Sequence, residues 1–314
     1  MRFLITGGAG FIGAALANRL AQDGHTVLVL DDLSSGDPAH LAPAIYFTRG
    51  DVRDVPLLWS LLQDVDCVYH LAARVSVAQS TLYPGDYNAV NVGGTVSLME
   101  GMRDAGVRRV VLASSGAVYG QQPNPVVYET DMPRPDSPYA VSKWAAEQYV
   151  HTIGALWGIE TVALRIFNAY GPRQSLPVSH APVVPRFLRQ ALTGGSLVVY
   201  GDGQQVRDFI YVADVVAALV SAARVGDVNR KVINVGSGQG TTIKALALLV
   251  GEITGREVNL VYNPEKSGGV QRLVADPGRA RQLLGFETYY NLRQGLLQTL
   301  QEDERFARVS LSAG

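Results

Sequence analysis

The sequence predicts an α/β fold: a doubly wound parallel sheet covered by helices on both faces, followed by a smaller C-terminal α/β lobe. Three observations carry this. Short, β-branched apolar runs alternate with helical stretches through about the first half of the chain. Those runs are apolar on both faces, which suits strands buried under helices rather than half-solvated ones. After Asn168 the pattern gives way to Gly, Pro and polar residues before shorter elements resume.

In order, strands are expected at 2–6, 26–30, 45–48, 67–71, 110–113 and 161–165, and helices at 12–22, 56–62, 91–105 and 139–156. A loop at 171–182 precedes a helix at 183–192 and a short strand and turn at 196–203. Residues 209–223 and 233–236 read as a return to the main sheet, and 242–306 as two or three helices with a strand at 257–262. The expected division is 1–167 plus 208–236 for a nucleotide-binding domain, and 168–207 plus 237–314 for a substrate lobe.

Composition narrows the function classes. Apolar residues make up 47% and charged residues 18%, so a sizeable core is available. The formal net charge is −1 and no basic stripe exists, which argues against nucleic acid as a partner. One cysteine, Cys67, permits no internal disulfide, and its place inside a strand marks it as a packing residue. His25, His40, His70, His151 and His180 show no metal-ligand spacing, so no metal is expected. No apolar run reaches the ~20 residues of a bilayer span. Met1 leads straight into a strand, so the expected location is cytoplasmic.

Residues 2–13 read RFLITGGAGFIG. A strand ends at Thr6, and Gly7, Gly10 and Gly13 follow before a helix. Such glycines allow a tight turn and close approach of backbone N–H groups to a pyrophosphate at the helix N-terminus. Alone, the triplet is equally a close strand–helix turn. The second strand ends at Asp31 and Asp32, about 20 residues on, where a carboxylate binds ribose hydroxyls. That carboxylate repels a 2′-phosphate, so NAD is expected rather than NADP. Asp51 and Val52, past the third strand, are placed beside the adenine ring, or form a plain Gly-Asp turn.

Tyr139 and Lys143 stand four apart in YAVSK, on one helical face. A free phenol, with pKa about 10, is a poor base. A neighbouring ammonium and a pyridinium ring both favour phenolate. Tyr139 is therefore the expected base for a sugar hydroxyl, with Lys143 also holding the nicotinamide ribose. Ser115, in VLASSGAVYG at the end of the fifth strand, is placed to bond the same sugar oxygen.

These motifs together resemble the extended short-chain dehydrogenase/reductase family and, within it, the UDP-galactose 4-epimerase group. TGGAGFIG, HLAA, Asn91, SSGAVYG, YAVSK, LRIFNAYG, GDGQQVRDFIYV and INVGSG fall in family order over nearly the full length. The resemblance implies a Rossmann-type domain, bound NAD and a nucleotide-sugar substrate, a UDP-hexose. It also implies a homodimer formed through a four-helix bundle of the helices at 91–105 and 139–156. For the cofactor it implies Phe11, Ile12, Leu33, Ser34, Leu71, Ala72, Ala73, Val75, Ala113 and Phe167. For the substrate it implies Ser76, Asn168, Val183, Val198 and Tyr200, with Arg207 clamping a phosphate. Arg207 could instead pair with Asp208 or Asp202.

Within the family, inversion at C4 is the expected chemistry. Dehydratases of this type carry an acid just after the catalytic Ser or Thr, whereas Gly116 and Ala117 stand here. Two departures concern the substrate lobe. An Arg-Pro-Gly-Glu/Asp-Val pattern of the family is replaced by Lys266-Ser267-Gly268-Gly269-Val270, which keeps a charge but loses the guanidinium fork. Pro182 replaces a common Asn. Arg272 is a candidate replacement contact. Ser76, Gln79 and the loop at 174–180 are expected to edge the sugar pocket, and leave glucose/galactose, N-acetylated and uronic sugars all open. A 4-keto reductase and a silent NAD-sensing protein are the competing readings, the latter disfavoured because Tyr139 and Lys143 are both kept.

Overall fold

The computed structural model describes residues 1–177, 181–264 and 269–306. The first part runs β1 (Arg2–Thr6), α1 (Phe11–Gln22), β2 (Thr26–Asp31), β3 (Tyr46–Arg49), α2 (Val55–Leu61), β4 (Cys67–His70), α3 (Val77–Leu82), α4 (Pro84–Tyr87), α5 (Gly94–Ala105), β5 (Arg109–Ser115), α6 (Pro138–Trp157) and β6 (Glu160–Ile166). The second runs β7 (Asn168–Tyr170), α7 (Val183–Leu192), β8 (Leu197–Tyr200), β9 (Val206–Tyr211), α8 (Val212–Arg224), β10 (Lys231–Val235), β11 (Gly240–Thr242), α9 (Ile243–Thr254), β12 (Leu260–Asn263), β13 (Arg272–Leu273), α10 (Gly278–Leu284) and α11 (Leu292–Glu302).

The main sheet has the order β3-β2-β1-β4-β5-β6-β10, and every neighbouring pair is parallel. The strand order reverses between β1 and β4, so ligands are favoured outside the carboxyl ends at that point. Alternation along β1 shows how both faces are filled. Phe3 and Ile5 pack with Leu16 and Leu20 of α1 and Leu219 of α8. Leu4 packs on the other side with Leu58 of α2, Leu98 and Met102 of α5 and Val150 of α6. Each such fully buried side chain contributes roughly 1.5–3 kcal/mol. Cys67 is fully buried in β4, as its packing role requires.

Three sequence expectations are adjusted. β10 joins the main sheet beside β6, but β9 does not. β9 instead pairs with β7, β11 and β13. Aromatic packing accounts for this: Tyr170 of β7 meets Phe209 and Tyr211 of β9 at ring-centroid distances of 6.5 and 5.7 Å. The expected helix at 91–105 is α-helical only from Gly94, because a π-helical stretch, Asn88–Gly93, precedes it. The expected strand at 257–262 begins later, as β12, and pairs in parallel with β8. Among the described residues, no helix is long and apolar enough to cross a membrane.

Candidate active site

Helix α1 starts at Gly10 with no side-chain cap and no acid in its first turn. Its first N–H groups therefore face outward without a protein partner from a cap. The three glycines divide the work of this turn. Gly7 has φ +70°, and a Cβ there would lie 2.6 Å from the Ala72 nitrogen. A Cβ at Gly13 would lie 2.2 Å from the Gly7 oxygen. Both allow chain to pack on chain. A Cβ at Gly10 would meet only the Gly7 oxygen, at 3.2 Å, so glycine here leaves the mouth of the helix clear.

Asp31, buried at the end of β2, closes the cradle. Its Oδ2 accepts the Ala9 N–H at 3.0 Å and its Oδ1 accepts the Leu33 N–H at 2.9 Å. Burial raises its pKa, and these backbone hydrogen bonds oppose the rise. Leu33 holds φ +61°, which turns the chain so that Asp32 Oδ1 accepts the Ser34 N–H at 2.8 Å. An uncapped helix mouth, a glycine-lined turn and a carboxylate fixed beside it fit a dinucleotide. Leu71 and Ala72 lie against the same turn, each donating its N–H to Thr6, to the carbonyl and the side-chain oxygen respectively. Ala73 is half-buried beyond them. Phe11 and Ile12 are half-buried in the first turn of α1, Ala113 is buried in β5, and Val75 is exposed. Asp51 is engaged by Arg53, at 2.9 and 2.5 Å, and that side-chain bond is the main cause lowering its pKa. Val52 is buried among core residues.

Ser137 caps α6 by accepting the Ala140 N–H, and Pro138 occupies the first turn. The helix thus begins just ahead of Tyr139, with Lys143 one turn on. Ser115, at the end of β5, lies close enough to Tyr139 for its side chain to act on the phenol. Ser115 Oγ accepts the Ala117 N–H at 3.1 Å. Tyr87 packs edge-on against the Tyr139 ring, 6.4 Å between centroids, and is itself anchored by its hydroxyl on the Ser76 carbonyl at 2.6 Å. Burial raises the Tyr139 pKa, and the Ser115 hydrogen bond pulls the other way. Burial also brings Lys143 down to about 8, against the opposing charge of Glu147. The expected lowering of Tyr139 by Lys143 is thus not among the main influences the chain exerts; desolvation of both groups dominates.

Two buried polar networks behind this face were not anticipated. His70 bridges Thr6, at 2.7 Å, and Thr95, at 2.9 Å. Thr95 donates to the Asn91 carbonyl, and Asn91 bonds Ser142 of α6 and both backbone groups of Arg74. The π-helical stretch places Asn91 at this junction. In the second network, Glu147 of α6 holds Arg165 of β6 and Ser114 of β5. The one sequence signal for it was Glu147 standing one turn beyond Lys143.

The residues expected to contact the substrate lie mostly in the second part of the chain. Phe167 is buried, and a Cβ at Gly116 would come within 3.2 Å of three of its ring atoms. Asn168 donates its amide to the Asp208 carbonyl at 3.1 Å. Arg207 is half-buried, feels the charge of Asp136 just ahead of α6, and lies 3.6 Å from where a Gly269 Cβ would stand. The Asp208 carboxylate accepts hydrogen bonds from Ser237, Gly238 and Ala275, and Asp202 accepts from Gln204. Val198 and Tyr200 lie on β8, where Arg186 donates to the Val198 carbonyl and its guanidinium sits 4.8 Å over the Tyr200 ring. Val183 opens α7 behind Pro182, and Ser76 caps α3. Arg272 is exposed and donates to the Pro125 carbonyl at 3.3 Å, so it leans on the loop at 121–127. Lys266 and His180 lie outside the described residues.

The model of the NAD dependent epimerase/dehydratase family matches residues 3–236. The UDP-glucose 4-epimerase of Mycolicibacterium smegmatis is 39% identical over 311 residues, covering 96% of this chain and 98% of that protein. Among solved structures, the UDP-glucose 4-epimerase of Thermotoga maritima with UDP-glucose superposes with a TM-score of 0.93 at 36% identity, over 99% of this chain and 100% of that one. The UDP-N-acetylglucosamine 4-epimerase of Methanobrevibacter ruminantium gives a TM-score of 0.91 at 34% identity, over 96% and 97%. By its glycine cradle, its sheet order and these matches, the chain belongs to the NAD-dependent epimerase/dehydratase family.

Proposed function

We propose that the chain inverts C4 of a UDP-hexose through a transient 4-keto sugar, with NAD held through turnover. The observation that carries this reading is the convergence of Ser115, at the end of β5, with Tyr139 and Lys143, one turn apart at the start of the helix packed on it. Bound NAD supplies a hydride acceptor for C4 and a positive ring that favours phenolate. Tyr139 Oη takes the proton of the C4 hydroxyl, and Ser115 holds the same oxygen and relays the proton. Lys143, one helical turn from Tyr139, would hold the nicotinamide ribose. Returning hydride to the opposite face of the keto sugar requires that the sugar turn, while Arg207 retains the diphosphate.

Gly116 and Phe167 support inversion over dehydration. Elimination needs an acid beside Ser115, but Ala117 carries none and the Phe167 ring stands against position 116. The choice among glucose/galactose, N-acetylated and uronic pairs stays within this reading. Two copies paired through α5 and α6 belong to it as well, with Val141, Tyr149 and Leu156 of α6 exposed for that contact.

The test is direct. Purified protein is incubated with UDP-galactose without added cofactor and followed by NMR. The expected product is UDP-glucose; no conversion, or a 4-keto-6-deoxy product, overturns the reading. The N-acetylated and uronic pairs then fix the sugar.

A further inference from the structure

Glu147 is fully buried on α6, and its carboxylate is ringed by donors. Arg165 of β6 gives it Nε–H at 3.0 Å and Nη2–H at 2.8 Å, a two-pronged pair. Ser114 of β5 donates its hydroxyl to the same Oε1. Ser114 and Arg165 are register partners across β5 and β6. The Arg165 guanidinium lies 4.7 Å over the Tyr119 ring, and the Tyr119 hydroxyl donates to Asn234 Oδ1 of β10 at 2.7 Å. The network thus fastens α6 to three adjacent strands, level with Ser115.

A buried ion pair gives little net stability over a well-packed apolar pair, so stability alone does not account for one here. Its position does. Lys143 lies one helical turn away and is itself buried, where desolvation favours the neutral amine. We propose that Glu147 is a positioning residue for Lys143: held by Arg165 and Ser114, its carboxylate locks the helix to the sheet and stands one helical turn behind the lysine in the cleft wall. The proposal rests on the role given above to Lys143.

The surrounding groups bear this out. Burial brings Lys143 to about 8, and Glu147 is the neighbour that opposes the fall. From β4 the facing group is His70, which burial brings down to about 3, so it carries no charge near neutrality. His151, on the next turn of α6, is also lowered by burial, and Glu147 acts on it in the opposite sense. Arg165 and Tyr119 complete the set around the carboxylate.

The chain has four lysines, so protein labelled with ¹³C at lysine Cε gives a tractable spectrum, in which Lys143→Arg assigns one signal. The expected Lys143 midpoint in the wild type lies well below those of the other lysines. Glu147→Gln keeps the shape and removes the charge, and should lower that midpoint by about one pH unit. Glu147→Asp keeps the charge, and should hold it within about 0.3 unit. The alkaline limb of kcat should move with the midpoint. A purely structural Glu147 predicts a Gln variant that loses stability, because Arg165 is left unpaired, while the Lys143 midpoint stays unmoved in both variants. That result overturns the proposal. If the Gln variant does not fold, the Asp variant decides: a fall of about one unit with the charge still in place overturns it. Because the titration reads Lys143 without turnover, it stands even if no UDP-sugar is converted, a result that would strike the functional reading alone.

Discussion

Behind Lys143 the charged groups are buried and paired; Arg207 is itself half-buried and is carried on a strand of a smaller sheet. Glu147 and Arg165 are 0% and 4% exposed, whereas Arg207 lies beside Gly269. The cofactor wall is built from parallel strands in fixed register, with helices capped onto them. The second part of the chain pairs shorter strands, in registers of two to four residues. The difference suits a site that grips one ligand through turnover while another must turn within it. Rigid support belongs where geometry must hold to fractions of an ångström.

Substitutions can break or sharpen that contrast, and the largest effect belongs to the reacting face. Tyr139→Phe should lower kcat by about 10²–10⁴ while NAD remains bound, read by steady-state kinetics and by the cofactor content of the purified protein. Survival of activity would remove Tyr139 as the base. Next comes the cofactor wall. Glu147→Ala strands the Arg165 charge in the core and should cost about 3–5 kcal/mol in urea unfolding. The exposed pair Arg19–Asp23 on α1, with side chains 51% and 27% exposed, is the control, and its loss should cost under about 1 kcal/mol. Equal costs would erase the distinction between wall and surface.

The substrate lobe should respond more mildly. Arg207→Lys should raise KM for the UDP-sugar about tenfold and leave kcat nearly unchanged, since a point charge replaces a planar fork. A fall in kcat with KM unchanged would move Arg207 to the reacting centre. Gly269→Ala should be the smallest change. Gly269 holds φ +71°, which costs an alanine about 1–2 kcal/mol, and among the described residues its Cβ would touch only the Arg207 guanidinium, at 3.6 Å.

The two regions also differed in how far the sequence revealed them. The cradle was legible because its geometry is local: Gly7, Gly10, Gly13 and Asp31 lie on one strand–helix–strand unit. Tyr139, Lys143 and Ser115 were legible through helical spacing and position at a strand end. What joins them was not. Arg165 meets Glu147 only because β6 lies beside β5, and His70 meets Thr95 across a sheet–helix contact. Such pairings depend on tertiary register, which no spacing encodes. β9 was misplaced for the same reason: its apolar run suits either sheet, and the Tyr170 cluster decides. The pKa of Tyr139 depends on burial, which residue types alone do not give.

The central claim is that hydride leaves C4 and returns to the same sugar on its other face. UDP-galactose deuterated at C4 tests it most directly, with unlabelled NADH present in solution. The account predicts UDP-glucose that keeps deuterium at C4, with none passing to the NADH pool. Deuterium lost to solvent or captured by free cofactor would contradict it.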